Sequence, residues 1–403
     1  MNVKKAAVIG AGTMGAQIAQ TISLAGIPVV LMDVHEAYVQ RGLETVRKIY
    51  QARVEKRKMK EAEASQKTAL VIGSTNYEGF GEMDIVIEAV FEDMDVKRKV
   101  FSALDAACPP RTLLASNTSS LSISAVASVT RRPRQVIGMH FFNPVYAMKL
   151  VEVIPGLDTS PQTVSDVVAF SERLGKIPIK VQECPGFVVN RLLMPYLNEA
   201  ALALQEGAAS PKEMDEAMRA FGMPMGPFAL LDMIGIDIAE TVSQILYDAF
   251  GPRMSVAVIL SEWVKAKRFG KKSGAGVYRY DGEKDEPFST ILQKVRRDTG
   301  IVGTQFAPER LLLLMINEAA ICLQEGVATA GDLDLAMVTG TGFPQEKGGP
   351  LHYADQVGLD VVLAELQRYT AELGPRFWPA PILKRMVGAG QIGLKARRGF
   401  FTY

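Results

Sequence analysis

Between Lys5 and about Glu183, short apolar runs alternate with amphipathic stretches: Ala6-Ala7-Val8-Ile9, Val29-Val30-Leu31-Met32, Ile85-Val86-Ile87, Leu113-Leu114-Ala115 and Val136-Ile137-Gly138. Such runs have the length and composition of buried strands, and the helical stretches between them imply βαβ units around a parallel sheet. From about Tyr38 to Lys67 the rhythm changes. That stretch is long, highly charged and helix-favouring, with no strand signal until Leu70-Val71-Ile72, so it predicts a protruding pair of helices. After Cys184-Pro185-Gly186 the β-branched runs stop and helical patterns punctuated by Gly and Pro take over, which places a domain boundary there. Residues 281–304 are polar and predict a linker containing one helix.

The helical part repeats itself. Asn198-Glu199-Ala200 recurs as Asn317-Glu318-Ala319, Gln205-Glu206-Gly207 as Gln324-Glu325-Gly326, and Ala217-Met218 as Ala336-Met337. Further along, Gly226-Pro227 recurs as Gly349-Pro350, Asp232 and Gly235 as Asp355 and Gly358, and Gly276-Val277-Tyr278 as Gly399-Phe400-Phe401. Matches in one order at this density mark a tandem duplication. The expected architecture is an α/β Rossmann-type domain over residues 1–184, followed by two tandem all-helical domains over 185–281 and 304–403.

Composition narrows the function classes. A chain of 403 residues exceeds what one core usually supports, in keeping with several domains. Lys and Arg number 45 against 44 Asp and Glu, so a net charge of +1 offers no field for nucleic acid or a membrane surface. Cys108, Cys184 and Cys322 lie far apart without metal-ligand spacing, which points to reduced thiols, no zinc site and no disulfide scaffold. Met1 to Lys5 leads straight into a strand, and no apolar run approaches the roughly 18 residues of a span, so a cytoplasmic protein is expected.

Two segments carry chemistry. Gly10-Ala11-Gly12-Thr13-Met14-Gly15 follows a strand and opens a helix, and Asp33 closes the next strand. Glycines there permit a tight turn and a close backbone approach to a pyrophosphate at a helix N-terminus. Asp33 is placed to accept hydrogen bonds from the adenosine ribose and to repel a 2′-phosphate, and no nearby Arg occupies the place that would reverse that choice, so NAD is favoured over NADP. The second segment is Gly138-Met139-His140-Phe141-Phe142-Asn143-Pro144, followed by Lys149-Leu150-Val151-Glu152-Val153. A hairpin centred on Tyr146 would set His140 and Glu152 opposite each other, as a carboxylate and an imidazole in acid–base work require. Read alone, the pair fits a satisfied core histidine equally well.

Ser116-Asn117-Thr118-Ser119-Ser120-Leu121, the His140 and Glu152 segments, and Pro185-Gly186-Phe187-Val188-Val189-Asn190-Arg191 together resemble the L-3-hydroxyacyl-CoA dehydrogenase family over nearly the whole chain. The resemblance implies oxidation of L-3-hydroxyacyl-CoA to 3-oxoacyl-CoA with NAD, with His140 as general base and Glu152 orienting it. By the same resemblance Ser119 and Asn190 hold substrate oxygens, Asn143 places His140 and the nicotinamide, and Glu92 and Lys97 lie near the nicotinamide ribose. Met14, Asp33, Asn117 and Ser119 fall along the dinucleotide. Lys56, with Arg57, Lys58 and Lys60, is the candidate for the CoA phosphates, and Tyr353 for a further substrate contact. The alternative is a related NAD-dependent dehydrogenase of a free 3-hydroxy acid or sugar acid; a fold retained for binding alone is the third reading.

Single-function members of the family usually carry one helical domain, whereas two copies resemble the dehydrogenase portion of multifunctional fatty-acid oxidation enzymes. No hydratase domain is expected ahead of Met1. In the second copy Phe306 and Arg310 match Phe187 and Arg191, but Glu309 stands where Asn190 stands in the first. Two copies pairing within one chain imply a monomer.

Overall fold

The computed structural model describes every residue except Met1, Asp281, residues 283–285 and 301–304, and the side chain of Glu286. Two compact units result, Met1–Phe187 and Val188–Tyr403. Both ends of the expected linker, with the boundary residues Asp281 and Thr304, fall outside the described residues.

The first unit holds β1 (Ala6–Ile9), β2 (Val29–Met32), β3 (Val71–Ser74), β4 (Ile85–Glu88), β5 (Leu113–Ser116), β6 (Val136–Phe141), β7 (Leu150–Pro155) and β8 (Ile177–Lys180). Its sheet runs in the order β3-β2-β1-β4-β5-β6-β7-β8, with β1 at the point where the chain reverses direction across the sheet. Helices α1 (Thr13–Leu24), α2 (Glu36–Glu55), α3 (Glu61–Ala69), α4 (Met94–Ala107), α5 (Ile123–Ala127) and α6 (Pro161–Arg173) connect the strands. All four residues of β1, β4 and β5 are buried, which is why those strands read as continuous apolar runs and not as alternation. The sheet is not wholly parallel. A short connection joins β6 to β7, so this pair is antiparallel, while β7 and β8 are again parallel to each other.

Helices α2 and α3 do form from the charged stretch, but α2 does not protrude. Val39, Gly42, Val46 and Tyr50 recur at helical spacing and are buried against α1 and the sheet, and the Tyr50 hydroxyl bonds Ser23 Oγ at 2.7 Å. The polar residues that suggested protrusion occupy the opposite face.

The second unit contains α7 (Val189–Gln205), α8 (Pro211–Phe221), α9 (Pro227–Ile234), α10 (Ile236–Phe250) and α11 (Val258–Lys265), then α12 (Glu286–Thr299). The same series returns as α13 (Glu309–Gln324), α14 (Ala330–Thr341), α15 (Pro350–Val357), α16 (Leu359–Leu373) and α17 (Pro381–Gly388). The repetition extends to buried hydrogen bonds. Asp215 accepts from the amides of Phe228 and Ala229, as Asp334 does from Leu351 and His352. Asp232 accepts from Val277 and Tyr278, as Asp355 does from Phe400 and Phe401.

Helices α7 and α13 pack against each other with reciprocal ion pairs. Arg191 reaches Glu318 at 2.7 Å and Glu325 at 2.6 Å, while Arg310 reaches Glu199 at 2.6 Å and also pairs with Glu206. One residue of each copy thus meets the partner's equivalent residues, the pattern of a two-fold interface built within one chain.

Candidate active site

The glycine loop between β1 and α1 is built for close approach. Gly10 has φ +96°, and a Cβ there would lie 2.5 Å from the Ala89 carbonyl oxygen. A Cβ on Gly15 would fall 1.8 Å from the Gly10 carbonyl oxygen, so this glycine lets the helix pack on the strand. At Gly12, by contrast, a Cβ would meet nothing within 4 Å, which leaves the start of α1 open to a phosphate. Asp33 accepts from the Ala11 amide at 2.8 Å and so also shapes the loop. A cleft of about 650 Å³ is lined by Gly10, Gly12, Met14 and Asp33 together with Tyr38 and Arg41. These residues fit a dinucleotide. Arg41, just over one turn into α2, also lines this cleft, with its guanidinium 5.6 Å from the Tyr38 ring centroid.

On the antiparallel pair β6–β7, His140 is in direct register with Glu152, as the spacing about Tyr146 requires. Nδ1 of His140 lies 2.7 Å from Glu152 Oε2; the carboxylate side chain is fully buried and the imidazole is 9% exposed. A carboxylate can only accept, which assigns the proton to Nδ1 and leaves Nε2 as the basic nitrogen. Phe142 and Phe187 flank the ring, with centroids at 4.5 and 5.8 Å.

A second network surrounds the end of β4. Thr118 Oγ1, the Ser119 amide and the Ser119 hydroxyl all donate to Glu92 Oε1, at 2.6, 2.8 and 3.1 Å. Lys97 lies 3.3 Å from Glu92 and 2.7 Å from Glu88. Burial pushes the Glu92 carboxyl up, but Lys97 and the Thr118 and Ser119 donors outweigh it and hold it below the usual carboxylate range. At 1% exposure Lys97 is no solvated partner: it is a buried cation between two carboxylates. Glu88 also accepts from Ser116 Oγ at 2.6 Å. Asn117 Oδ1 accepts from the Phe141 amide at 2.9 Å, which ties this segment to the histidine strand.

Residues 5–184 match the family model for the 3-hydroxyacyl-CoA dehydrogenase NAD binding domain, and 186–280 with 306–403 match the C-terminal domain of the same enzymes. The chain belongs to the 3-hydroxyacyl-CoA dehydrogenase family. Its α/β domain is the family's NAD-binding domain, and both helical copies match the family's C-terminal domain. Among solved structures, 3-hydroxybutyryl-CoA dehydrogenase from Escherichia coli aligns with TM-score 0.88 at 30% identity, over 97% of this chain and 100% of its own. (S)-3-hydroxybutyryl-CoA dehydrogenase from Ralstonia eutropha is 45% identical, with TM-score 0.68, over 69% of this chain and 99% of its own. Among curated proteins, the fatty acid oxidation complex subunit alpha of Shewanella amazonensis is 39% identical over 396 residues, 96% of this chain. The chain spans 56% of that relative's length.

The remaining expected positions lie elsewhere in the two units. Lys56, Arg57, Lys58 and Lys60 are exposed at the turn between α2 and α3. Asn190 falls in the first turn of α7, in the helical unit. Tyr353 sits among Phe221 and Phe343, with ring centroids at 5.2 and 6.3 Å, and Lys347 lies over its ring. His352 donates its backbone amide to Asp334, in keeping with a structural place. Among the described residues no cluster of His, Cys, Asp and Glu could hold a metal, and no helix is long and apolar enough to cross a membrane. Glu88 and Gln17 are not among the residues expected from the sequence. An acid closing an otherwise apolar strand was the available signal for Glu88; Gln17 gave none.

Proposed function

We propose that this chain oxidises the 3-hydroxyl of L-3-hydroxyacyl-CoA thioesters to the 3-oxo group, with NAD as hydride acceptor and His140 as base. The buried His140–Glu152 pair across β6 and β7, with the histidine strand bonded through the Phe141 amide to Asn117, carries the reading. NAD, held by the glycine loop and Asp33, would supply the hydride acceptor for C3. His140 Nε2 accepts the hydroxyl proton, and the Glu152 carboxylate holds the ring and offsets the charge that develops on it. Ser119 and Asn190 are assigned to the substrate's oxygen atoms, and Asn143 to placing His140 and the nicotinamide. Gly10, Gly12, Met14, Gly15 and Asp33 are assigned to the dinucleotide, with Glu92, Lys97 and Asn117 towards its nicotinamide end. Lys56 on its exposed turn is the cation offered to the CoA phosphates, and Tyr353 a further substrate contact.

The domain assignment goes with it: 1–184 for the cofactor, 185–281 as the first helical domain and 304–403 as its duplicate. The reciprocal pairs between α7 and α13 favour a monomer, and three cysteines far apart in the sequence favour a reducing compartment, the cytoplasm. Relatives named for fatty acid oxidation favour a place in that metabolism.

Initial rates of NADH formation with L- and D-3-hydroxybutyryl-CoA test the function. The L-isomer should turn over, and His140→Gln should lower that rate by about a hundredfold or more while NADH binding holds. Equal rates with the D-isomer, or a His140→Gln variant near full activity, would refute it.

A further inference from the structure

Gln17 lies on α1, one turn into the helix that the glycine loop opens, and it is 6% exposed. Its side chain does not serve α1. Gln17 Oε1 accepts from the Val145 amide at 2.6 Å, and Nε2 donates to Asn143 Oδ1 at 3.2 Å, both on the turn between β6 and β7. Lys176 holds the same turn from β8's side, donating to the carbonyls of Val145 and Met148; burial pulls its ammonium down to about 8.

The direction of each bond follows from donor chemistry. A backbone amide can only donate, so the Gln17 atom facing Val145 must be the oxygen, and the NH2 end must face Asn143. A donor facing Asn143 selects its oxygen in turn, leaving the Asn143 NH2 to donate away from Gln17. Residue 143 is exposed, so that donor is presented outward, three residues beyond His140.

We infer that Gln17 is a positioning residue for the reaction: it couples the cofactor helix to the catalytic turn and fixes which end of the Asn143 amide is offered. The inference rests on the proposed dehydrogenase function, in which Asn143 acts beside His140 and the nicotinamide. Rigid support of this kind matters because small misplacements of a reacting group cost large factors in rate.

The test compares Gln17→Met, Gln17→Glu, Asn143→Ala and the double variant Gln17→Met/Asn143→Ala with wild type, by steady-state rates, NADH binding and thermal melting. Gln17→Met should lose about tenfold or more in kcat, while KM for NAD and NADH binding change little, and the double variant should lose no more than Asn143→Ala alone. Gln17→Glu supplies a rescue: its carboxylate cannot donate to Asn143, whereas its protonated form is shaped like glutamine and can. Its rate relative to wild type, measured at each pH, should therefore climb as the pH is lowered. That ratio stands as the test even if Gln17→Met folds poorly. Additive losses in the double variant, or a Gln17→Glu ratio flat with pH, would overturn the inference while an active wild type kept the function intact. A wild type inactive on 3-hydroxyacyl-CoA would instead remove the function on which it rests.

Discussion

Replacing Glu152 with Gln isolates the contribution of its charge. Glutamine keeps the shape and still offers an oxygen to Nδ1, so the ring should stay oriented, and what is lost is the attraction between a carboxylate and the forming imidazolium. With Glu152 Oε2 2.7 Å from His140 Nδ1, the two charge centres lie roughly 4 Å apart, which at an effective dielectric constant near 20 is worth about 4 kcal/mol. Both side chains are buried, so solvent screens little of this. A proton roughly half transferred in the transition state would feel about 2 kcal/mol of it, or about thirtyfold in rate. Initial rates of NADH formation under saturating NAD should therefore fall roughly 10- to 100-fold, short of the loss expected for His140→Gln. NADH binding, followed by fluorescence, should remain within about twofold of wild type, because Glu152 is assigned no cofactor contact. A rate within about threefold of wild type would show that the carboxylate charge does not support the histidine.

The duplication supplies an internal control on stability. Arg191→Met leaves Glu318 with one long contact to Arg253 at 3.3 Å, whereas Arg310→Met leaves Glu199 and Glu206 with Arg376 at 2.8 and 2.9 Å. Breaking the first should cost about 3–5 kcal/mol and the second about 1–2 kcal/mol less; urea midpoints in the reverse order would contradict the reading of the two ion-pair sets. Burial pushes Asp334 up to about 7 from 3.8. Being raised in the folded state, it contributes stability that is fully present below its unfolded value and lost as pH rises through about 7, on the order of 4 kcal/mol at most. Melting temperatures from pH 4 to 8 should accordingly fall more in wild type than in Asp334→Asn, and parallel curves would exclude Asp334 as the group responsible. For the cofactor, wild type should use NAD in preference to NADP, and Asp33→Ser should narrow the ratio of kcat/KM values by roughly tenfold, since Arg41 then meets a 2′-phosphate with no carboxylate opposing it. A wild type that favours NADP would show that Asp33 does not govern the ribose.

Sequence alone determined whatever depends on local period and spacing. The apolar runs set the strands from β1 to β6, the glycine spacing set the tight turn between β1 and α1, and the equal distances of His140 and Glu152 from Tyr146 set their register, because an antiparallel pair folded about a turn has one pairing for each centre. The duplication was legible for a similar reason: residues that bond the same backbone amides in each copy, such as Asp232 and Asp355, are kept in both. Periodicity says which face of an element is buried, but not which distant side chain it meets there. Tertiary structure therefore decided that α2 lies down on the sheet and brings Arg41 to the cofactor cleft, and that Lys97 is enclosed by Glu88 and Glu92. It also joined Gln17 to Asn143 and Val145, and Arg191 to Glu318, across more than a hundred residues of chain. A polar residue in a helix reads as solvated until packing removes the water around it, and desolvation then obliges it to find a partner that only the folded chain can supply.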